Sequence, residues 1–126
     1  MEIIAVCSRK LSKSLRRYVK LVEHPNFYPL KIAVIDDNEI LLNVLHEYGL
    51  SLKHYSILKK LNLVKEIKVN TVTKDIEILS QKHLVKLRRS KRNIVVCLSR
   101  KGEKTLKRIQ LKVNRIINLV NNLKSS

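Results

Sequence analysis

The side chains in this sequence that are best suited to chemistry are cationic, and they are densest in one short segment. Five of them fall within seven residues: Lys86, Arg88, Arg89, Lys91 and Arg92. Lys and Arg at this density attract phosphate oxygens, along a nucleic-acid backbone or in a narrow minor groove. Charges also protect an exposed sheet edge, but one or two suffice for that. The cluster therefore predicts contact with a polyanion.

The whole chain is basic, with 27 Lys and Arg against 10 Asp and Glu in 126 residues, a net charge of +17. Self-repulsion on this scale destabilises a compact state unless a polyanion or salt neutralises it. The charge is uneven. Residues 36–48 hold four acidic and no basic side chains, whereas residues 84–104 hold eight basic and one acidic. A localised maximum indicates a binding surface.

Metal, redox and nucleophilic chemistry lack the residues that they require. The histidines show no metal-ligand spacing, and the acidic cluster Asp36, Asp37 and Glu39 is explained by a helix start. We expect no enzymatic activity, no cofactor and no metal. Whether Cys7 and Cys97 form a disulfide stays open. No apolar run approaches a membrane span, so we expect no membrane partner and a cytoplasmic, nucleoid-associated protein, in the host cytoplasm if viral.

The hydrophobic pattern predicts a mainly α-helical fold with a small β-hairpin. Apolar residues recur every three or four positions in residues 2–23, which predicts an amphipathic N-terminal helix. Asp36 is expected to cap a second helix that ends at Gly49, and Ser51 to cap a third. Residues 30–35 fit either a strand or a helix extension.

The second half of the chain places the hairpin between two further helices. After a break at residues 62–69, Asn70 is expected to cap a helix over residues 70–82. Two apolar runs around the polar link 90–93 predict the hairpin strands, and Ser99 is expected to cap the last helix. We expect one domain over residues 1–126: an N-terminal helix and connection (1–29), a core (30–99) and a C-terminal helix (100–126).

Two runs resemble the winged helix-turn-helix domains of MarR-like and PadR-like regulators. Residues 76–87, IEILSQKHLVKL, resemble the end of a recognition helix that enters the first strand of a wing. Residues 96–106, VCLSRKGEKTL, resemble the second wing strand and the family's Leu-Thr-x-x-Gly helix start. The resemblance spans about residues 36–110 and departs at His83, where the family often has Gly. The Ile and Lys content is also similar to regulators of archaea and of their viruses or plasmids.

The resemblance implies that residues 70–82 form the recognition helix and residues 86–93 the wing. At 100° per residue, a core face through Val72, Ile76 and Leu79 leaves Asn70, Lys74, Glu77 and Gln81 on the opposite side. The amides there suit adenine, lysine suits guanine or phosphate, and hydroxyls suit phosphate. An ordinary solvated helix face is the alternative. The expected DNA contacts on this helix are Asn70, Thr71, Thr73, Lys74 and Gln81.

The last helix carries an apolar seam that is typical of a dimer interface. Its members are spaced alternately three and four residues apart, as in a heptad repeat. We expect a symmetric dimer in which the N-terminal helix joins this seam. The expected interface residues are Leu106, Ile109, Val113, Ile116, Val120 and Leu123, together with Leu11, Leu15 and Tyr18.

These features favour a homodimeric, sequence-specific, double-stranded DNA-binding transcriptional regulator with flanking dimerisation helices. The first alternative is an architectural or plasmid-partition protein that coats DNA with little sequence preference. An RNA-binding winged helix and a protein–protein adaptor that uses the C-terminal seam are the others.

Overall fold

The computed structural model describes residues 4–7, 11–23, 25–27 and 31–124. The chain divides into two compact units. The terminal unit comprises Met1–Tyr48 with Leu111–Ser126, and the central unit comprises Gly49–Gln110. One domain was expected, whereas each of the two units has a three-stranded sheet of its own. Within the described residues the fold is mixed α/β, with antiparallel sheets as well as helices.

The terminal unit contains a three-stranded antiparallel sheet where an N-terminal helix was expected. Its strands are β1 (Ile4–Cys7), β2 (Lys20–Glu23) and β3 (Lys31–Ile35), in the order β1-β3-β2. A single helical turn, α1 (Lys13–Arg16), and a 3₁₀ turn at Pro25–Phe27 complete the connections. The prediction of a helix over residues 2–23 is thus wrong.

Two features explain why residues 2–23 do not form one helix: β-branched residues and a helix cap within the segment. Residues flanking the middle of this segment include Ile4, Val6, Val19 and Val22, which favour strands. Ser12 accepts a hydrogen bond from the Leu15 backbone N–H at 3.4 Å and starts a new helical turn in the middle of the segment. A spacing of three and four residues over such short pieces does not distinguish one long helix from strand, turn and strand.

Residues 31–35 resolve the ambiguous apolar run as β3, the central strand of this sheet. It pairs antiparallel with both neighbours, and Ala33 is fully buried. The helix α2 (Asp37–Glu47) follows, capped by Asp36, whose carboxylate accepts from Asn38 N–H at 3.0 Å. Gly49 follows its end with φ 68°. The predicted start and stop of this helix are confirmed.

The central unit alternates helices with strands. Its elements are α3 (Leu52–Val64), β4 (Glu66–Val69), α4 (Lys74–Gln81), β5 (Val85–Ser90) and β6 (Asn93–Leu98), followed by the start of α5 (Arg100–Lys124). The sheet order is β4-β6-β5, antiparallel throughout. The predicted hairpin is confirmed as β5 and β6. The break at residues 62–69 contains a strand that was not expected.

The helix α4 is shorter than predicted. Val69 pairs with Ile94 in the sheet, so the chain must leave the strand before a helix can begin. Thr73, not Asn70, is the N-cap, and its hydroxyl accepts from Ile76 N–H at 3.3 Å. Asp75 and Glu77 in the first turn complement the helix dipole.

Candidate nucleic-acid interface

The positive charge is concentrated in the central unit. Residues 49–110 hold 17 basic and 4 acidic side chains, a net charge of +13. The remaining residues hold 10 basic and 6 acidic side chains, a net charge of +4. A polyanion would therefore be attracted mainly to the central unit.

The turn of the β5–β6 hairpin consists of two cations. Ser90 pairs with Asn93, which leaves Lys91 and Arg92 as the exposed two-residue link, called here the hairpin tip. Lys91 has φ 47°, in the left-handed region that glycine occupies at little cost and other residues occupy at about 1–2 kcal/mol. Lys65 and His83 also adopt this conformation, so the backbone strain at Lys91 is shared with two other positions of the central unit.

The remaining predicted wing cations divide between the two faces of the sheet. Paired residues of adjacent strands project to the same face, and successive residues alternate. Arg88 is opposite Val95, which is opposite Lys68 of β4, so Arg88 and Lys68 share a face. Lys86 projects to that face as well, whereas Arg89 projects to the other one. The cluster is therefore not a single surface.

Lys68 was missed by the sequence analysis. Its signal was present in the alternation Glu66-Ile67-Lys68-Val69, which has the period of a half-buried strand. Four residues are too few for that alternation to outweigh the reading as a helix break. The pairing of β4 with β6 is what brings Lys68 to the face of Arg88.

The connection into α4 leaves the sheet near the hairpin tip. Val69 ends β4 in the row of Ile94 and Arg89, which one residue pair, Ser90 and Asn93, separates from the tip, so the chain leaves β4 at that end of the sheet. Asn70, Thr71 and Thr73 are exposed on the connection that follows, and Lys74 is the exposed first residue of α4. Four predicted contacts are thus on the segment that leaves the sheet beside the tip.

Gln81, the fifth predicted contact on this helix, is at the opposite end of α4. Seven residues of α-helix separate it from Lys74 by about 10 Å. The exposed side of α4 presents Lys74, Glu77 and Gln81 in turn, so an acid stands between the two candidate contacts. Glu77 would repel phosphate at the centre of this face.

A buried histidine links α3 to the first turn of α4. His54 forms a capping box with Ser51: its Nδ1 accepts from Ser51 N–H at 3.0 Å, and Ser51 Oγ accepts from His54 N–H at 3.3 Å. Its Nε2 lies 3.1 Å from Asp75 Oδ1, out of line for a hydrogen bond. His54 is buried, at 7% exposure. The cap by Ser51 is confirmed.

The C-terminal end of α4 is fixed by a Schellman motif. His83 has φ 62° and donates its N–H to Ser80 O, and Leu84 donates to Leu79 O, each at 2.9 Å. His83 therefore adopts the conformation for which the resembled family often uses Gly. Ser99 Oγ donates to His83 O at 2.6 Å and accepts from Gly102 N–H at 2.9 Å. Ser99 thus caps α5, as predicted, and ties it to this turn.

The residues expected at a dimer interface are largely buried within the single chain. Packing within the single chain already covers most of the apolar seam of α5, so a second copy is not needed to bury it. Val113 is half-buried, and the Leu123 side chain lies outside the described residues. The buried members are Leu11, Leu15, Tyr18, Leu106, Ile109, Ile116 and Val120. Among the leucines of α5 whose side chains are described, the exposed ones are Leu111, at 69% exposure, and Leu119, at 44%.

Tyr18, expected at a dimer interface, instead forms a polar cluster with Glu47 and Lys112 in the terminal unit. Glu47 accepts hydrogen bonds from the Tyr18 hydroxyl and from Lys112 Nζ, the latter at 2.5 Å. Lys112 Nζ also lies 5.3 Å from the Tyr18 ring centre. The hydrogen bond from Lys112, then that from Tyr18, lowers the pKa of Glu47, and the same bond to Glu47 raises the pKa of Lys112.

No family model, no curated protein and no solved structure matches this chain. Among the described residues, no group of three His, Cys, Asp or Glu side chains is placed to hold a metal ion. In the same residues, none of the helices combines the length and the apolar character needed to cross a membrane. Cys97 is a half-buried free thiol.

Proposed function

We propose that this chain is a double-stranded DNA-binding transcriptional regulator of the winged-helix type. The observation that carries the proposal is the central unit's net charge of +13, with its hairpin tip at the end of the sheet where the chain leads into α4. Phosphate contacts supply most of the affinity of such proteins, and a helix start beside them is the part suited to the major groove.

The order of elements supports the winged-helix interpretation in one respect and departs from it in another. The hairpin follows α4 directly, as a wing follows the recognition helix in the resembled family. However, β4 stands between α3 and α4, so these helices are not joined by a short turn of three or four residues. The departure concerns the angle at which α4 would meet DNA, not the end of the sheet from which the chain leads into α4.

The cations of the hairpin and the residues at the start of α4 then have separate roles. Arg89, Lys91 and Arg92 contact phosphates or a narrow minor groove, and so position the protein. Asn70 and Lys74 reach base edges, where an amide suits adenine and an ammonium suits guanine. Thr73 can cap α4 and still serve phosphate, since its hydroxyl accepts from Ile76 N–H and keeps its own proton for donation.

The proposed regulator acts as a homodimer. Because the predicted seam is buried, the surface that supports this proposal is the exposed pair Leu111 and Leu119 on α5. They lie eight residues apart, about two helical turns, on one side of the helix. A two-fold dimer would present two α4 helices to two half-sites.

A non-specific architectural DNA-binding protein is the second candidate, and Glu77 favours it. An acid between Lys74 and Gln81 leaves few base readers on α4, while the cations of the hairpin would bind any duplex. Selection of bound sequences from a random duplex pool at physiological salt separates the two candidates. An enriched motif supports the regulator, and binding without enrichment supports the architectural protein. Preference for structured RNA over duplex in competition would refute both.

A pair of double variants then tests the roles. Arg89→Ala with Arg92→Ala is expected to weaken binding to selected and random duplexes by the same factor, and to lower the slope of log K against log salt by about 1.8. Asn70→Ala with Lys74→Ala is expected to lower the preference for the selected sequence, by about 1–3 kcal/mol per lost bidentate contact. If the second pair lost affinity uniformly with its preference intact, the regulator proposal would fail.

A further inference from the structure

The largest group of cations that the hairpin does not explain lies at the start of α5. Its first nine residues hold five exposed cations. At 100° per residue these lie within an arc of about 120° on the side opposite the buried Gly102, Leu106 and Ile109, and Glu103 falls outside the arc. We name this surface the α5 basic stripe; its members are Arg100, Lys101, Lys104, Lys107 and Arg108.

The stripe opposes the stability of the helix that carries it. The N-terminal turn of a helix favours acids and disfavours cations. Arg100, Lys104 and Arg108 are also spaced four residues apart, and like charges at that spacing are destabilising by about 0.2–0.5 kcal/mol per pair. Within the described part of the chain, no stripe residue forms an ion pair with an acid. The arrangement therefore requires an explanation other than folding.

The stripe is fixed relative to the hairpin at the other end of the sheet. β6 ends at Leu98, and Ser99 holds both the first turn of α5 and the His83 carbonyl that precedes β5. The six-residue strand β5 separates this end from the hairpin tip by about 17–20 Å. Extended Lys and Arg side chains at both ends could thus reach phosphates on the two sides of a major groove about 12 Å wide.

We propose that the α5 basic stripe is a second contact surface for the phosphate backbone of double-stranded DNA, separate from the hairpin tip. The inference rests on the proposed function and extends it, because it makes the footprint bipartite. The two surfaces hold the same duplex at both ends of one rigid sheet. Sequence preference remains with the start of α4.

The test compares two triple variants that remove the same charge. The stripe variant is Lys101→Gln, Lys104→Gln and Arg108→Gln, and the control is Lys20→Gln, Lys53→Gln and Lys60→Gln, three exposed lysines on β2 and α3. Binding to a random 30-base-pair duplex is measured by fluorescence anisotropy between 50 and 200 mM KCl. Each lost phosphate contact lowers the slope of log K against log salt by about 0.9. Between 50 and 200 mM KCl, the salt-induced fall in affinity should therefore be about 40-fold smaller for the stripe variant than for wild type.

The control is expected to change the slope of log K against log salt by less than about 0.9, the value for one phosphate contact. Equal slope changes in the two variants would overturn the inference while leaving DNA binding intact. Failure of the wild type to bind the duplex would instead remove the proposed function and the inference with it. Urea unfolding at low salt gives a readout without DNA: the stripe variant should be at least as stable as wild type, since a repulsion has been removed. A stripe variant less stable than wild type would make the stripe structural and overturn the inference.

Discussion

Substitution of Gly102 by alanine tests the packing at the base of the hairpin. Gly102 lies in the first turn of α5, where alanine would ordinarily stabilise a helix by about 1 kcal/mol. A Cβ there would stand 2.0 Å from Leu84 O and 2.8 Å from Leu98 Cδ1. Ordinary contacts of carbon with a carbonyl oxygen are about 3.3 Å, so the backbone must move by more than 1 Å.

The backbone movement that Gly102→Ala requires would disturb a hydrogen-bonded carbonyl. Leu84 O accepts the Ser99 N–H at 3.0 Å, so it cannot yield as a flexible side chain would. Overpacking of this kind costs about 1–3 kcal/mol or more, and a backbone contact belongs at the upper end. After subtracting the gain in helix propensity, we expect Gly102→Ala to destabilise the protein by about 2 kcal/mol, which is of the order of 10 °C in Tm.

Gly49→Ala is the matched control, because these are the two glycines of the chain. Gly49 has φ 68°, and its added Cβ would meet Lys82 Nζ at 2.9 Å, the movable end of a flexible side chain. The cost is then mainly left-handed strain, about 1–2 kcal/mol. Thermal unfolding followed by circular dichroism gives the ranking. Backbone propensity alone predicts that Gly102→Ala stabilises the protein and that Gly49→Ala destabilises it. A Tm of Gly102→Ala above that of wild type would therefore refute the packing argument.

Two further predictions concern the terminal unit and the oligomer. The lowered pKa of Glu47 means that its bond to Lys112 stabilises the fold fully above the carboxyl's ordinary value of 4.5 and that this contribution is lost as the pH falls through the lower, folded value. The Tm difference between wild type and Glu47→Gln should therefore shrink below pH 4.5, and a difference independent of pH would contradict this. Leu111→Asp with Leu119→Asp should convert the proposed dimer to monomers in analytical ultracentrifugation. A wild type that sediments as a monomer at tens of micromolar would refute the dimer.

Local capping chemistry was the most predictable part of the fold. Asp36, Ser51 and Ser99 each stand directly before a helix, and all three cap it. These signals are readable because the hydrogen bond joins residues only two or three apart. Asn70 is the exception, because the pairing of Val69 with Ile94 delays the start of α4 and makes Thr73 the cap. The β5–β6 hairpin was predictable for the same reason, since its turn and its strands are contiguous.

Long-range pairing was not readable in the same way. β4 becomes a strand because it pairs with β6, about thirty residues later, and β1 pairs with β3 across a similar interval. Four-residue strands carry too little periodicity of their own to be told from a helix or a break. The burial of the α5 seam was missed for a related reason: a heptad pattern shows that a face will be covered, but not whether the same chain or a second one covers it.

The corrected start of α4 changes which residues are suited to read DNA. Had Asn70 been the N-cap, its side-chain oxygen would have been engaged by the helix backbone. With Thr73 in that role, Asn70 is exposed on the connection that leaves the sheet beside the hairpin tip, and its amide keeps both donor and acceptor groups for a base edge. Gln81 lies on the same side of α4 but about 10 Å from Lys74, at the far end of the helix, whichever residue begins it. Of the two amides, Asn70 is therefore the one expected to discriminate adenine.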